Sequence, residues 1–380
     1  PTPAASPDPT AGLDEIAGEW IAVPPSPLGR RVGSVSAWIG DSLLRWGGQV
    51  WKDGGTFLPA VKSDGAIYRP TEGEWREIAP SPLPARQRPI AVWTGEKALV
   101  WGGEADGAPY NDGAAYDPAI DRWRPMAPSP LAPRIGPAAV WTGRELLILG
   151  GFDLAGPRSD AAAYDPAQDA WRQIAPAPDG LLQAAWDLGA EWANGAVLVW
   201  VAGKSDLAPG ALYDTDADSW RLLPGIGSAS FLHRIVPVPG GLLAVTLDRG
   251  GRLHLLELAD GESHWAPVSI APLSSAWRIS VEWTDVGLVV VNNSATHWLY
   301  EPGADQWLRL PDGPAFDAWW QDTLWTGREL IISGRSPNNA PPRREAPDWA
   351  FRFAPNLDSG ALSRRPWRDS PLAAATPRPG

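Results

Sequence analysis

Three arginines occupy the same place in three copies of a repeated segment. Arg31, Arg86 and Arg134 each stand seven residues before a tryptophan. Their planar guanidinium groups offer paired donors that suit a carboxylate. Three further copies carry an indole six residues before the corresponding tryptophan, and an indole face suits a sugar ring or an apolar side chain. These indoles are Trp186, Trp277 and Trp319.

These positions are predicted to meet at one mouth of a central channel, if the segments are the innermost strands of sheets arranged around an axis. Residues five before the same strand end add Arg88, Arg278 and Trp320. The hypothesis is a ligand site that is basic on the side of the first three repeats and aromatic on the other side. The alternative is structural: the arginines pair with acids of a neighbouring repeat, and the indoles pack between repeats. Burial of the side chains would favour this alternative.

Longer loops after the second strand of each repeat are expected on the same face. Variable loops on a rigid scaffold often carry binding residues. A solvated loop residue without a role is the alternative at each position. The candidates are Trp51, Tyr110, Asp112, Asp153 and Asp160.

Signatures of catalysis are scarce. The four histidines stand at different places in the repeat, and the chain has no cysteine for a thiolate metal site. No Gly-x-Ser-x-Gly nucleophile motif occurs. Asp106 and Asp112 would act on a sugar only if their carboxylates met at a suitable separation. We therefore expect no metal, no cofactor and no catalytic residue.

The elements that position these residues come from a repeat of 48 residues. AVWTGEKALVWGG at 91–103 recurs as AVWTGRELLILGG at 139–151, and GAAYDPAIDRW, ending at Trp123, recurs as AAAYDPAQDAW, ending at Trp171. A period near 50 is typical of β-propeller blades. Each copy predicts four strands. A Thr-Gly turn follows the first strand and a glycine pair follows the second. The tyrosine lies in the third strand and the tryptophan in the fourth.

Seven copies of the first strand can be counted, which predicts an all-β propeller of seven four-stranded antiparallel blades. Their ends lie at Trp38, Trp93, Trp141, Trp192, Val238, Trp283 and Trp325. Trp20 keeps the usual step of 18 residues to Trp38, so residues 18–24 are expected to form the outer strand of the seventh blade. This closes the ring and protects a sheet edge. The alternative is that a C-terminal strand completes the blade and the N-terminal strand adds a fifth.

The glycine pairs and the Tyr-to-Trp step resemble kelch repeats over residues 18–355. The pairs are Gly47-Gly48, Gly102-Gly103 and Gly150-Gly151, and they are lost in later copies. The resemblance implies a propeller that binds a protein or a glycan through the loops and channel mouth of one face. Copper-radical oxidases of the galactose oxidase type need a cysteine cross-linked to a tyrosine, so the absence of cysteine excludes that activity.

Composition narrows the partners and the location. The net charge of −12 disfavours nucleic acid. No apolar run reaches the ~18 residues of a membrane span. Residues 1–14 predict a flexible Pro-rich tether, residues 15–355 the propeller, and residues 356–380 a tail that packs outside or is partly disordered. Such a tether favours an exported or surface-tethered protein without a transmembrane segment, held by a lipid or the cell wall through its N-terminus. A cytosolic location is the alternative.

We therefore predict an exported, non-enzymatic binding propeller that recognises a protein or glycan partner. A carbohydrate-active enzyme, resembling a sialic-acid epimerase or lyase on a kelch scaffold, is one alternative. A structural module of a surface assembly is another.

Overall fold

The fold consists almost entirely of short antiparallel strands. A computed structural model describes residues 16–29, 31–52, 56–183, 188–193, 195–204, 209–227, 231–273, 279–292, 296–313, 320–335 and 348–353. One 3₁₀ turn, Leu181–Gln183, is the only helical element in these ranges. None of the described segments forms a helix long and apolar enough to cross a membrane.

The strands follow one another in chain order. Up to residue 125 they are β1 (Gly18–Ala22), β2 (Arg31–Val32), β3 (Val35–Ile39), β4 (Ser42–Trp46), β5 (Gln49–Lys52), β6 (Thr56–Val61), β7 (Gly65–Arg69), β8 (Glu74–Glu77), β9 (Ile90–Trp93), β10 (Ala98–Trp101), β11 (Glu104–Ala105), β12 (Ala108–Pro109), β13 (Gly113–Asp117) and β14 (Arg122–Pro125). Up to residue 238 they are β15 (Ala138–Trp141), β16 (Leu146–Leu149), β17 (Phe152–Asp153), β18 (Gly156–Pro157), β19 (Ala161–Asp165), β20 (Ala170–Gln173), β21 (Leu188–Ala193), β22 (Ala196–Val201), β23 (Gly203–Lys204), β24 (Gly210–Asp214), β25 (Ser219–Leu222) and β26 (Phe231–Val238). The remainder are β27 (Gly241–Leu247), β28 (Leu253–Ala259), β29 (Ala266–Ile270), β30 (Ile279–Thr284), β31 (Gly287–Asn292), β32 (Trp298–Glu301), β33 (Gln306–Arg309), β34 (Trp320–Trp325), β35 (Glu329–Arg335) and β36 (Trp349–Phe353).

Within the described residues, six sheets have four strands and one has five. Their orders are β3-β4-β7-β8, β9-β10-β13-β14, β15-β16-β19-β20, β21-β22-β24-β25, β23-β26-β27-β28-β29, β30-β31-β32-β33 and β34-β35-β36-β1. The predicted all-β architecture of repeated four-stranded antiparallel sheets is thus confirmed, and it is consistent with a β-propeller. We call the end of the sheets where first strands begin and second strands end the loop face. The opposite end, with the Thr-Gly turns, is the turn face.

The second strand of each repeat is apolar because both of its sides face other sheets. Every residue of β10, β16 and β31 is buried. Hydrophobic clusters then lie between successive sheets, and one of them joins Leu99 and Trp101 to Leu146 and Ile148 of the next repeat. Burial on two sides explains why these strands read as continuous apolar runs instead of alternating ones.

The Tyr-to-Trp step of seven residues is set by the outer hairpin. Tyr116 and Trp123 are directly opposite on β13 and β14, with ring centroids 5.0 Å apart. The Tyr116 hydroxyl donates to Asp121, whose φ is +50° and whose carboxylate also accepts the Ala79 amide of the preceding repeat. The Trp123 indole in turn donates to the Ala79 carbonyl at 3.0 Å. The seven-residue step therefore places the tyrosine and the tryptophan where they join this outer hairpin to the repeat before it.

The second glycine of each pair is required by close approach of the backbone. Gly103 has a φ of +91°, and a Cβ there would lie 2.7 Å from the Gln87 carbonyl oxygen. Gly48 has a φ of +89° and the same kind of contact with Ser34. An L side chain would be strained on both counts. The glycine pair thus lets the end of the second strand contact the start of the first.

The N-terminal strand pairs with the last described strand. β1 is antiparallel to β36, with Trp20 opposite Phe351. The Trp20 indole donates to the Pro311 carbonyl, and the Pro24 carbonyl accepts the Trp75 indole. First strands of neighbouring sheets also lie side by side, and the described pairs are β3 with β9, β9 with β15, β15 with β21, β21 with β26, β30 with β34 and β34 with β3.

Candidate functional site

The Arg86 side chain is fully enclosed at the loop face. Its Nε donates to the Pro84 carbonyl at 2.9 Å and its Nη1 to the Gly102 carbonyl at 3.0 Å. Nη1 and Nη2 also donate to the two carboxylate oxygens of Asp112, at 2.6 and 3.1 Å. The Tyr110 ring lies over the guanidinium, 4.0 Å from its centre. Arg86 therefore fixes the loop between the second and third strands.

The two neighbouring repeats have the same arrangement. Arg134 is fully buried and binds the Gly150 carbonyl and Asp160, and Arg31 is almost fully buried and binds the Gly47 carbonyl and Asp64. This burial contradicts the prediction that the three arginines form a basic mouth. Each guanidinium is directed into the protein and is held by an acid of its own repeat. Burial leaves these donors no access to a ligand.

The aspartates that pair with these arginines are exposed at the loop face, where the arginines themselves were predicted to be exposed. The Asp64, Asp112 and Asp160 side chains are 55%, 48% and 53% exposed. The hydrogen bond from Arg31 is the main cause that lowers the pKa of Asp64. Burial raises the pKa of Asp160, but the hydrogen bond and charge of Arg134 outweigh it, so the net shift is downward. The loop face of the first three repeats therefore exposes three carboxylates that ion pairs hold in fixed orientations.

Short hairpins rise from the loop face beside these aspartates. They are formed by β5 with β6, β11 with β12, and β17 with β18. Paired backbone hydrogen bonds attach Glu104 to Gln87 and Phe152 to Ile135, so the second and third hairpins continue from the starts of first strands. Leu154 stands at the tip of the third hairpin and is 94% exposed.

The other predicted site residues are not brought together at one site among the described residues. Arg88 is half-exposed and pairs with the buried Glu104 at 3.0 Å. Asp153 binds Arg158 within the third hairpin, and Tyr110 covers Arg86. Trp51 and Trp320 lie in β5 and β34, and their side chains are outside the described part of the molecule. Four further candidates lie outside the described residues: Trp186, Trp277, Trp319 and Arg278.

A charged cluster between three first strands was missed by sequence reasoning. Arg234 on β26 donates to Glu191 on β21 and to Glu282 on β30, both at 3.2 Å, and to the Val281 carbonyl at 2.6 Å. Burial raises the pKa of Glu282, although Arg234 opposes the shift. The three side chains are partly buried and remain partly exposed to solvent. Arg234 stands four residues before its strand end, after a β-bulge, so the repeat spacing gave no signal.

No group of three histidine, aspartate or glutamate side chains suited to a metal ion occurs among the described residues. No known family model matches the chain, and no curated protein matches it. Among solved structures it is similar to one titled "Structure of YjhT". The identity is 17%, the match covers 66% of this chain and 88% of that one, and the TM-score is 0.49. A likeness of this degree does not extend to function.

Proposed function

We propose that the seven sheets are the blades of a closed, kelch-type ring spanning residues 15–355, with β1 as the outer strand of the seventh blade. Three contacts support this architecture. β1 has the backbone pairing with β36 that an outer strand needs. Its Trp20 contacts the sixth sheet through Pro311, and Pro24 contacts the first sheet through Trp75. Four other tryptophans make the same indole-to-carbonyl bond to the sheet before them: Trp123, Trp171, Trp220 and Trp265.

We propose that this ring is a non-catalytic binding propeller whose loop face recognises a protein partner with basic residues. The observation that carries the proposal is the row of half-exposed aspartates 64, 112 and 160, each oriented by a buried arginine. A carboxylate held in advance loses little conformational freedom when it meets a lysine or arginine. Complementary charge of this kind promotes association and selects the partner.

The hairpins add contact area around the aspartates. Leu154 offers an exposed apolar tip, while Asp106 adds a further exposed acid at the tip of the second hairpin. An apolar anchor beside charged groups is typical of protein interfaces. The predicted indoles Trp186, Trp277, Trp319 and Trp320 and the predicted Arg278 would extend this surface on the side of the later blades.

The test uses peptides of defined charge as probes. We expect a synthetic Lys/Leu-rich peptide to bind, measured by biolayer interferometry, and its affinity to fall as salt rises. Leu154→Ser and Asp106→Asn should each weaken binding, since both change exposed groups without a packing role. Ile120→Ser is the matched control, because Ile120 is also strongly exposed but lies at the turn face. Equal binding of a Glu/Leu-rich peptide, or an equal loss in the control, would refute the proposal.

A second candidate function, catalysis on a carbohydrate, is favoured by Glu282. A carboxyl group whose pKa is raised by burial, beside a second carboxylate and an arginine, is a common arrangement for acid–base chemistry. Glu282→Gln would abolish a sugar-converting activity and leave peptide binding intact. Peptide binding without turnover of any sugar would favour the binding function alone.

A further inference from the structure

A polar cleft opens at the turn face between the third and fourth blades, on the opposite side from the aspartate row. Its volume is about 640 Å³. Arg144, Gln168 and Trp171 line it from the third blade, and Trp192 and Asp216 from the fourth. Clefts of this size accommodate small molecules.

One wall of the cleft is rigid. Arg172 forms a two-pronged ion pair with Glu145, with distances of 2.9 and 2.7 Å. The bond to Glu145 is also the main cause that raises the pKa of Arg172, with a further contribution from Tyr213 of the next blade. Glu145 is buried, so the pair fixes the wall and keeps its guanidinium in one orientation.

Other groups in the cleft are accessible. The Arg144 side chain is 77% exposed, and its ion pair with Asp165 is long, at 3.8 Å. Gln168 is exposed, and its side-chain amide donates to Asp165 at 3.0 Å. Trp171 and Trp192 are only partly buried. The cleft therefore combines the planar polar groups of Arg144 and Gln168 with two partly exposed indoles.

The lining of this cleft differs from the residues at the equivalent positions of the second blade. At the equivalent positions of the second blade, Glu96 replaces Arg144, Lys97 replaces Glu145 and Ile120 replaces Gln168. The second blade keeps an arginine, Arg124, at the place of Arg172, but it has neither the glutamate that pairs with Arg172 nor the amide of Gln168. It offers matched control positions for each residue of the third.

We propose that this cleft is a carbohydrate-binding site, separate from the loop face. The apolar face of a sugar ring packs on an indole, and adjacent hydroxyls suit the paired donors and acceptors of Arg144, Gln168 and Asp216. A peptide would need an apolar anchor pocket. The lining of the cleft is polar, and its Glu145 and Arg172 are already paired.

The test measures binding of maltotriose, chitotriose and trigalacturonate by saturation-transfer NMR. At least one should bind with a Kd below about 10 mM. Arg144→Ala should weaken that binding about 5- to 10-fold, as the loss of a charged hydrogen bond implies. Ala170→Trp should abolish it by filling the cleft, because Ala170 is an exposed lining residue.

The controls are Glu96→Ala and Arg122→Trp, the same changes at the second blade, which should leave binding intact. All four positions are exposed, so thermal unfolding should be little changed. The proposal is overturned if no trisaccharide binds, if the controls weaken binding equally, or if Ala170→Trp blocks only the Lys/Leu-rich peptide. Because the cleft and the loop face are probed by different ligands and variants, either proposal can fail alone.

Discussion

Asp112→Asn is predicted to destabilise the protein although Asp112 is half-exposed. The change leaves the Arg86 guanidinium fully buried without its counter-ion. Breaking a buried ion pair costs about 3–5 kcal/mol, because one charge stays uncompensated. Solvent screening at the exposed carboxylate reduces this, so we expect a loss of about 2 kcal/mol in the free energy of unfolding.

Arg86→Met is expected to cost about 3 kcal/mol by a different route. It leaves the Pro84 and Gly102 carbonyls without their donor and removes the contact with Tyr110. Each acceptor that stays buried without a donor costs about 1 kcal/mol, and the lost stacking adds to this. The double variant should cost less than the sum, since the two residues share one interaction.

The assay is urea unfolding at neutral pH, with Asp106→Asn as the control. Asp106→Asn removes the same charge from the same loop, and Asp106 is exposed. Its φ is +52°, which asparagine tolerates. The control should stay within about 0.5 kcal/mol of the wild type. If Asp112→Asn were no more damaging than Asp106→Asn, the ion pair would not support the loop and the reasoning would be wrong.

Three further predictions follow from the structure. Burial, then the charge of Arg234, lowers the pKa of His233 to about 4, so between pH 6.5 and 4 the unfolded chain binds more protons. Acidification through that window should therefore destabilise the wild type by about 3 kcal/mol more than His233→Gln in urea unfolding, and equal pH slopes would count against this. Gly103→Ala should cost at least about 3 kcal/mol by thermal unfolding, whereas Gly107→Ala, with a φ of +77° but open space around it, should cost about 1 kcal/mol; similar costs would contradict the close approach. A disulfide from Glu19→Cys and Arg352→Cys, opposite on β1 and β36, should form on oxidation and raise the unfolding temperature, and failure to form would argue against the closed ring.

The strands could be predicted from the sequence because their signals are local. The Thr-Gly turns, the glycine pairs and the seven-residue step each reflect a hairpin or a backbone contact. Trp46, Trp101 and Trp200 stand near the ends of second strands, and they are buried. The decayed last repeat was harder. Its third strand has no tyrosine, and the register puts Phe351 opposite Leu330, the place of the tyrosine in other sheets.

The candidate site was predicted less well, because spacing does not tell which way a side chain points. Arg86 and Asp112 were both predicted to contact a ligand, yet nothing in their spacing indicated that they form an ion pair with each other. The cluster of Glu191, Arg234 and Glu282 joins residues more than 40 positions apart, since |i−j| is 43 and 48 for its two ion pairs. Contacts between blades of this kind depend on the three-dimensional arrangement and carry no local pattern.

Hydrogen–deuterium exchange with the Lys/Leu-rich peptide is the most direct test of the proposed binding face. Amides of the hairpins at 104–109 and 152–157 should exchange more slowly when the peptide is bound, and those of the turn face at 142–145 should not change. Protection confined to the turn face, or none anywhere, would contradict the assignment of the loop face as the partner-binding surface.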